Sequence, residues 1–369
     1  MKYSIAAILL VMVIFAAACS RDQSTYTVEV IDGVRHVHNH APLWGGEPRI
    51  TLEFVQKIGE LEGHDENYLL FRPTSLDVDS EGNIYIVETG ENAVKKFDRS
   101  GTFVQTFGTE GQGPGELNWP LDIFIDSDDR IYVQNAGNRR IEIFEQDGRY
   151  VDSWRIQIMN EKIAMMSGGS FAVLPRQRFL SPDQDQGLIS IKDTTGAILR
   201  SFGAVKDYQN PDMADGGNGG EIVVDSANNI YIAMLNQNRI EKYTPDGRLL
   251  MKISRDLPYE ESEIVFDPGT QERVDNIFAQ GLEIDAQGRM WADTYERQFT
   301  SEEKALEDNT RKPNLTVLEI YDKDGILLTR VKTGLPNGYR LCRISGGRAY
   351  FVESRDYMDV QVFRIVEPK

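Results

Sequence analysis

Apolar and polar residues alternate with a period of two along most of residues 50 to 366, the mark of strands half-buried in sheets. The alternation is grouped into a returning phrase: a short apolar strand, a tight turn rich in Asp, Asn and Gly, then a strand carrying an aromatic residue. It appears as Leu76–Ile86, Ile123–Val133, Ile222–Ile232 and Leu282–Ala292. Two copies, Ala164–Val173 and Cys342–Val352, lack the Asp. A second hairpin follows each phrase but the last, as where Val94–Phe97 turns through Asp98–Gly101 into Phe103–Phe107. Gly supplies positive φ at these turns, and Asp bonds the neighbouring backbone. Each unit therefore reads as a four-stranded antiparallel sheet, and a radial array of such sheets is a β-propeller.

The aromatic anchors Tyr85, Tyr132, Phe171, Tyr231, Trp291 and Tyr350 count six blades. After Tyr350 a single further strand remains, Val360–Ile365, so the last blade is one strand short. A spare strand lies upstream at Ile50–Gly59. The sequence thus predicts an all-β, six-bladed propeller whose N-terminal strand completes the C-terminal blade and closes the ring, removing two exposed edges.

Asn138-Arg139 and Asn238-Arg239 stand before third strands, and outer strands exit in Phe-Gly at Phe107-Gly108 and Phe202-Gly203. With the phrase itself, these residues resemble NHL-type repeats. The chain from about residue 50 to residue 366 is similar to the bacterial six-bladed β-propeller lipoproteins related to that group. The resemblance implies the fold and says little of activity, because propellers host binding proteins, lyases and hydrolases alike.

The remaining organisation is simple. Residues 1–19 read as a signal peptide, with an apolar run from Ile5 to Ala18 too short to span a bilayer comfortably. Ala16-Ala17-Ala18-Cys19 resembles a bacterial lipobox, with Ala16 where Leu is usual, and implies lipid on Cys19. The expected location is the bacterial cell envelope, outer membrane or periplasm, by a lipid anchor. Residues 20–49 read as a linker and an appended β-hairpin, and residues 50–369 as the propeller. With Cys19 acylated, Cys342 stands alone and no disulfide forms. A formal charge of −18 argues against nucleic acid and anionic membrane surfaces as partners.

Candidate chemistry sits where the repeat is interrupted. The connections Lys206–Glu221, Arg255–Gln280 and Glu296–Pro313 are long and fall on one face, suggesting a lid over the channel mouth. Ser301–Glu307 has the pattern of a short helix capped by Ser301. Ends of second strands would rim that mouth: Glu88, Asn135, Arg176, Asn236, Asp293 and Glu353, with Arg178, Arg297 and Arg355 just beyond. Arg72 and Trp119, before inner strands, face the same way. This mixture suits a protein, peptide or glycan ligand, and the reading favours a non-enzymatic binding or scaffold protein.

The alternative is a calcium-dependent hydrolase or lyase. Six-bladed lactonases hold Ca²⁺ with Glu, Asn and Asp oxygens, and Glu88, Asn135, Asn236 and Asp293 are the residues that would mimic that set. No other cofactor is expected. Amidating-lyase propellers use His from several blades, whereas the four His here, at 36, 38, 40 and 64, lie outside the repeated strands. His36, His38 and His40 share one face of an extended segment, roughly 7 Å between neighbours. They are candidates for a transition metal, with exposed edge histidines as the plain alternative. The glycine-rich run Gly108–Gly115 opens no helix and reads as a structural loop.

Overall fold

The computed structural model describes residues 24–47, 49–155, 161–174, 187–208, 217–260, 265–266, 273–274, 276–306 and 312–367. The signal segment with Cys19, and Arg176 and Arg178, lie outside these residues, as do parts of all three long connections.

Six four-stranded antiparallel blades follow one another around the ring. Their inner strands are Pro73–Val78, Pro120–Ile125, Lys162–Met166, Gly220–Val224, Gly281–Ile284 and Arg340–Ser345. The second strands, such as Ile84–Glu88, Ile131–Asn135 and Ile230–Met234, are buried from end to end. They are sandwiched between neighbouring blades, which is why apolar and aromatic residues there abandon strict alternation.

The core is six apolar clusters, one at each junction between blades. Tyr85, Val87 and Phe107 of blade one meet Ile123, Val133 and Phe144 of blade two. Tyr231 and Ile253 of blade four meet Leu282, Met290 and Tyr321 of blade five. Ile84 and Phe97 of blade one meet Tyr350, Val352 and Val360 of blade six, so the ring has no apolar gap. Phe171 differs from the other anchors. It packs back toward Tyr132 and Ile143 of blade two, with Trp154 against its ring at 5.6 Å, while Ala172 faces blade four. Its turn, Ser167–Gly169, also lacks the Asp that bonds the anchor in blades one, two, four and five.

The N-terminal segment contributes three strands: β1 (Tyr26–Ile31), β2 (Val34–Asn39) and β3 (Thr51–Ile58). β3 is the outermost strand of blade six, antiparallel to Asp359–Val366, with Phe54 opposite Phe363. β1 and β2 form a hairpin joined at Asp32-Gly33. β2 then runs parallel to the outer strand of blade four, Leu249–Arg255, making that sheet six-stranded. Val37 is buried in the junction of blades four and five. Asn39 accepts from the Leu327 N–H and donates to the Gly325 carbonyl, tying the hairpin to blade five.

The helix of the third connection, α1 (Ser301–Lys304), is capped one residue earlier than the sequence suggests. The Thr300 hydroxyl accepts from the Glu303 N–H, and the Glu303 carboxylate accepts from the Thr300 N–H. Glu303 then stands at the third position, which completes a reciprocal capping box that Ser301 would not allow.

Candidate functional site: a two-sided central cavity

The repeated Asp and aromatic residues are joined to each other. One oxygen of Asp79 accepts from the N–H groups of Glu81 and Asn83, and the other from the Tyr85 hydroxyl at 3.0 Å. Asp126 with Tyr132, Asp225 with Tyr231 and Asp285 with the Trp291 indole repeat the bond at 2.9, 3.1 and 2.8 Å. These carboxylates close the turn and anchor the aromatic ring. They are bound within the scaffold and point to no ligand.

The rim candidates are also engaged, chiefly with backbone. Glu88 is fully buried and accepts from the N–H groups of Phe71, Arg72 and Gly90 at 3.0, 2.6 and 3.0 Å. Burial pushes its carboxyl up, opposed by those donors. Asn135 accepts from the Asn118 N–H and donates to the Glu116 carbonyl. Asn236 donates to the Asn276 carbonyl. Asp293 accepts from the Leu341 N–H at 2.8 Å and from the Gln280 amide, and burial pushes it up to about 7. Glu353 accepts from the N–H groups of Arg355 through Met358. A polar residue at or near the end of each of these second strands thus satisfies backbone donors or acceptors of an adjoining loop or strand, an obligation for any buried backbone group.

The remaining candidates lie outside that ring of loop clips. Arg297 pairs with both oxygens of Glu303 at 2.7 Å. Arg355 is exposed. Arg72 and Trp119 are brought together, the guanidinium 4.8 Å from the ring centroid on an exposed surface. The described parts of two long connections are stapled to one another. The Tyr259 hydroxyl donates to the Tyr295 carbonyl, and Gln298 exchanges two hydrogen bonds with the Ile277 backbone.

A cavity of about 890 Å³ occupies the ring's centre, lined by the inner strands. The residues paired across from the six aromatic anchors are Asp77, Phe124, Met165, Val223, Glu283 and Arg343, and all six line it. They divide by blade. Blades five, six and one present Glu283, Arg343 and Asp77 as one charged wall, whereas blades two, three and four present Phe124, Met165 and Val223 as an apolar wall. Within the charged wall, Arg343 Nε lies 2.8 Å from Asp77 Oδ1 and Nη1 lies 3.7 Å from Glu283 Oε2. Burial pushes Glu283 up to about 7, with Arg343 pulling it back and Asp77 adding to the rise. Asp77 is raised by burial against the same Arg343, whose own guanidinium is held protonated by Asp77.

Nearer the starts of the inner strands, where the long connections enter, the Ser75 hydroxyl donates to Asp122 at 2.5 Å and Lys162 pairs with Glu221 at 2.9 Å. Cys342 joins this layer, its thiol 3.7 Å from the Ser75 hydroxyl and raised by burial. The lining lies away from the strand ends, where the polar repeat of the sequence points. The signal was an ionisable residue between apolar neighbours on an inner strand, as in Leu76-Asp77-Val78 and Leu282-Glu283-Ile284.

Two of the three clustered histidines do come together with a carboxylate. His38 Nε2 lies 2.8 Å from Asp256 Oδ1, and His40 Nδ1 lies 3.0 Å from Asp256 Oδ2. His36 is placed opposite Lys252 instead. Among the described residues, this is where three imidazole, thiol or carboxylate donors converge with ligand-like spacing. Also among the described residues, no helix is long and apolar enough to cross a membrane.

Fold and cavity define a closed six-bladed β-propeller with a polar channel. Residues 60–278 match the DUF5128 family, described as a 6-bladed β-propeller, and the chain belongs to that family. No curated protein matches the sequence. Among solved structures it is similar to a Bacteroides fragilis protein named as exported, at 11% identity and a TM-score of 0.61, covering 90% of this chain and 99% of that one. A DUF4221 protein of Bacteroides vulgatus is also similar, at 11% identity and a TM-score of 0.56, over 86% and 99% of the two chains. Likeness at this identity shows the fold alone.

Proposed function

We propose that the protein is exported, is held at the cell envelope by lipid on Cys19, and binds a peptide or glycan segment in its central cavity without turning it over. The observation that carries this reading is the two-sided lining. A chain with a polar edge and an apolar face would set hydrogen-bonding groups against Arg343, Asp77 and Glu283 and its apolar face against Phe124 and Met165. Convergent polar groups on one wall can orient a ligand while the apolar wall opposite buries its other face. Arg343, Asp77 and Glu283 are already paired with one another, so an occupant of that wall needs hydrogen bonds more than net charge. The rim pair Arg72 and Trp119 offers a further flat contact on the exposed surface, and the long connections flank the entrance.

Titration calorimetry against panels of peptides and oligosaccharides tests the reading. A ligand should emerge whose affinity falls at least about tenfold in both Arg343→Ala and Phe124→Ala, the loss of one buried anchor being on the order of 1.4 kcal/mol or more. Binding untouched by both variants would place the site elsewhere. Mass spectrometry of the purified chain tests the anchor, which requires a diacylglyceryl adduct at Cys19.

Glu283 favours a second reading, a hydrolase or lyase. A cavity carboxyl poised near 7 is suited to general acid–base work. Turnover of the bound ligand, abolished by Glu283→Gln with binding retained, would select it. A calcium-dependent form of this enzyme would further require a Ca²⁺-induced rise in melting temperature.

A further inference from the structure

From His38, His40 and Asp256 we infer a binding site for a borderline divalent transition metal, Zn²⁺ first, at the seam between the N-terminal hairpin and blade four. It is separate from the central cavity and does not depend on what the cavity binds. The two histidines come from β2 and the residue following it. The carboxylate comes from just beyond the outer strand of blade four, more than two hundred positions later in the sequence. Parallel pairing sets His38 opposite Ser254, and the Asp256 N–H donates to the Asn39 carbonyl at 2.8 Å, which brings the three side chains to one end of the seam.

Three features make this more than an exposed cluster. The three ligand atoms lie within 4.8 Å of one another, and the imidazole rings meet at 67° with centroids 4.9 Å apart, both turned to the same carboxylate. The backbone that carries the histidines is pinned, because Val37 and Asn39 on either side of His38 are buried. His38 also has the outer partner that metal-bound histidines ordinarily use. Its Nδ1 lies 2.8 Å from the Ser254 hydroxyl, so Nδ1–H can donate there while Nε2 presents a lone pair to the metal. A two-nitrogen, one-oxygen set suits Zn²⁺, Ni²⁺ or Cu²⁺, with the fourth position left to water. Ca²⁺ and Mg²⁺ prefer all-oxygen shells and should not compete. A bound ion would cross-link the leading segment of the chain to the ring.

The test is calorimetric titration of ZnCl₂ into the full chain after removal of metal with chelator, with cobalt absorption as a second readout. One ion per chain is expected, with visible Co²⁺ bands of tetrahedral intensity and no displacement by excess Ca²⁺ or Mg²⁺. His40→Ala and Asp256→Asn should each weaken binding at least about tenfold and abolish the Co²⁺ bands. Ser254→Ala should cost about 10-fold through the outer partner, and His36→Ala should change nothing. Far-UV circular dichroism matching the parent shows that the variants fold. Absence of stoichiometric binding, or binding of equal strength in both His40→Ala and Asp256→Asn, overturns the site and leaves a hydrogen-bonded His–Asp–His cluster.

Discussion

Asp79 shows what a repeated residue does at the smallest scale. Its two oxygens hold the turn backbone, the Asn83 amide and the Tyr85 hydroxyl at once. Replacing it by Ala leaves those donors short of partners in a largely buried turn, so Asp79→Ala should lower unfolding free energy by ~2–4 kcal/mol in urea titrations. A change within a few tenths would mean the turn is held by its backbone alone. Glu283 makes a pH prediction. Its folded pKa, about 7, lies above the ordinary carboxylate value, so the folded state keeps a proton that the unfolded chain gives up. Stability from this group is therefore complete below about pH 4.3 and is lost as pH rises toward 7. Glu283→Gln should flatten the fall in unfolding free energy between pH 5 and pH 7 relative to the parent. An unchanged slope would show that Glu283 ionises in the folded state as freely as in water.

Elements, unlike single side chains, reveal where the sequence was readable and where it was not. Blade strands follow from the period of two, and the turns from Asp and Gly, because both are local. The cavity is not local, since each inner strand gives only a residue or two and their meeting depends on blade order. Asp77 and Glu283 were visible as ionisable residues in apolar strands, yet nothing near either names Arg343 as their partner. Asp256 was invisible as a partner of His38 for the same reason. The rim positions were legible as a polar repeat but not as loop clips, because hydrogen bonds to backbone leave no mark on the partner's identity. The hairpin offers its own test. Val37 is its buried contact with the junction of blades four and five, and Val37→Asp would bury an unpaired charge there. Tryptic cleavage at Arg35 and Arg49 should accelerate severalfold while the blades stay resistant. Uniform resistance would show that strand pairing alone holds the hairpin down.

At the scale of the whole molecule, six junction clusters and one closing strand hold a ring with no free end. Removing residues 1–59 would expose the full edge of Asp359–Val366, including buried Val360 and Val362, to any passing strand. Such a truncation should lose its cooperative unfolding transition and appear as soluble oligomers or aggregate in light scattering. A monomer with an undiminished transition would assign β3 no part in stability.

β3 also imposes an order on the life of the chain. It is made before the first blade and its partner after the other five, so the pairing of Phe54 with Phe363 joins the two ends of the propeller. Contacts of such high sequence separation form slowly, and these cannot form before Asp359–Val366 has been made. Blades one to five can assemble as they emerge, but the structure remains an open arc until Asp359–Val366 is free to pair with β3. That delay makes pairing of Asp359–Val366 with β3 the event that closes the ring and commits the protein to its native state.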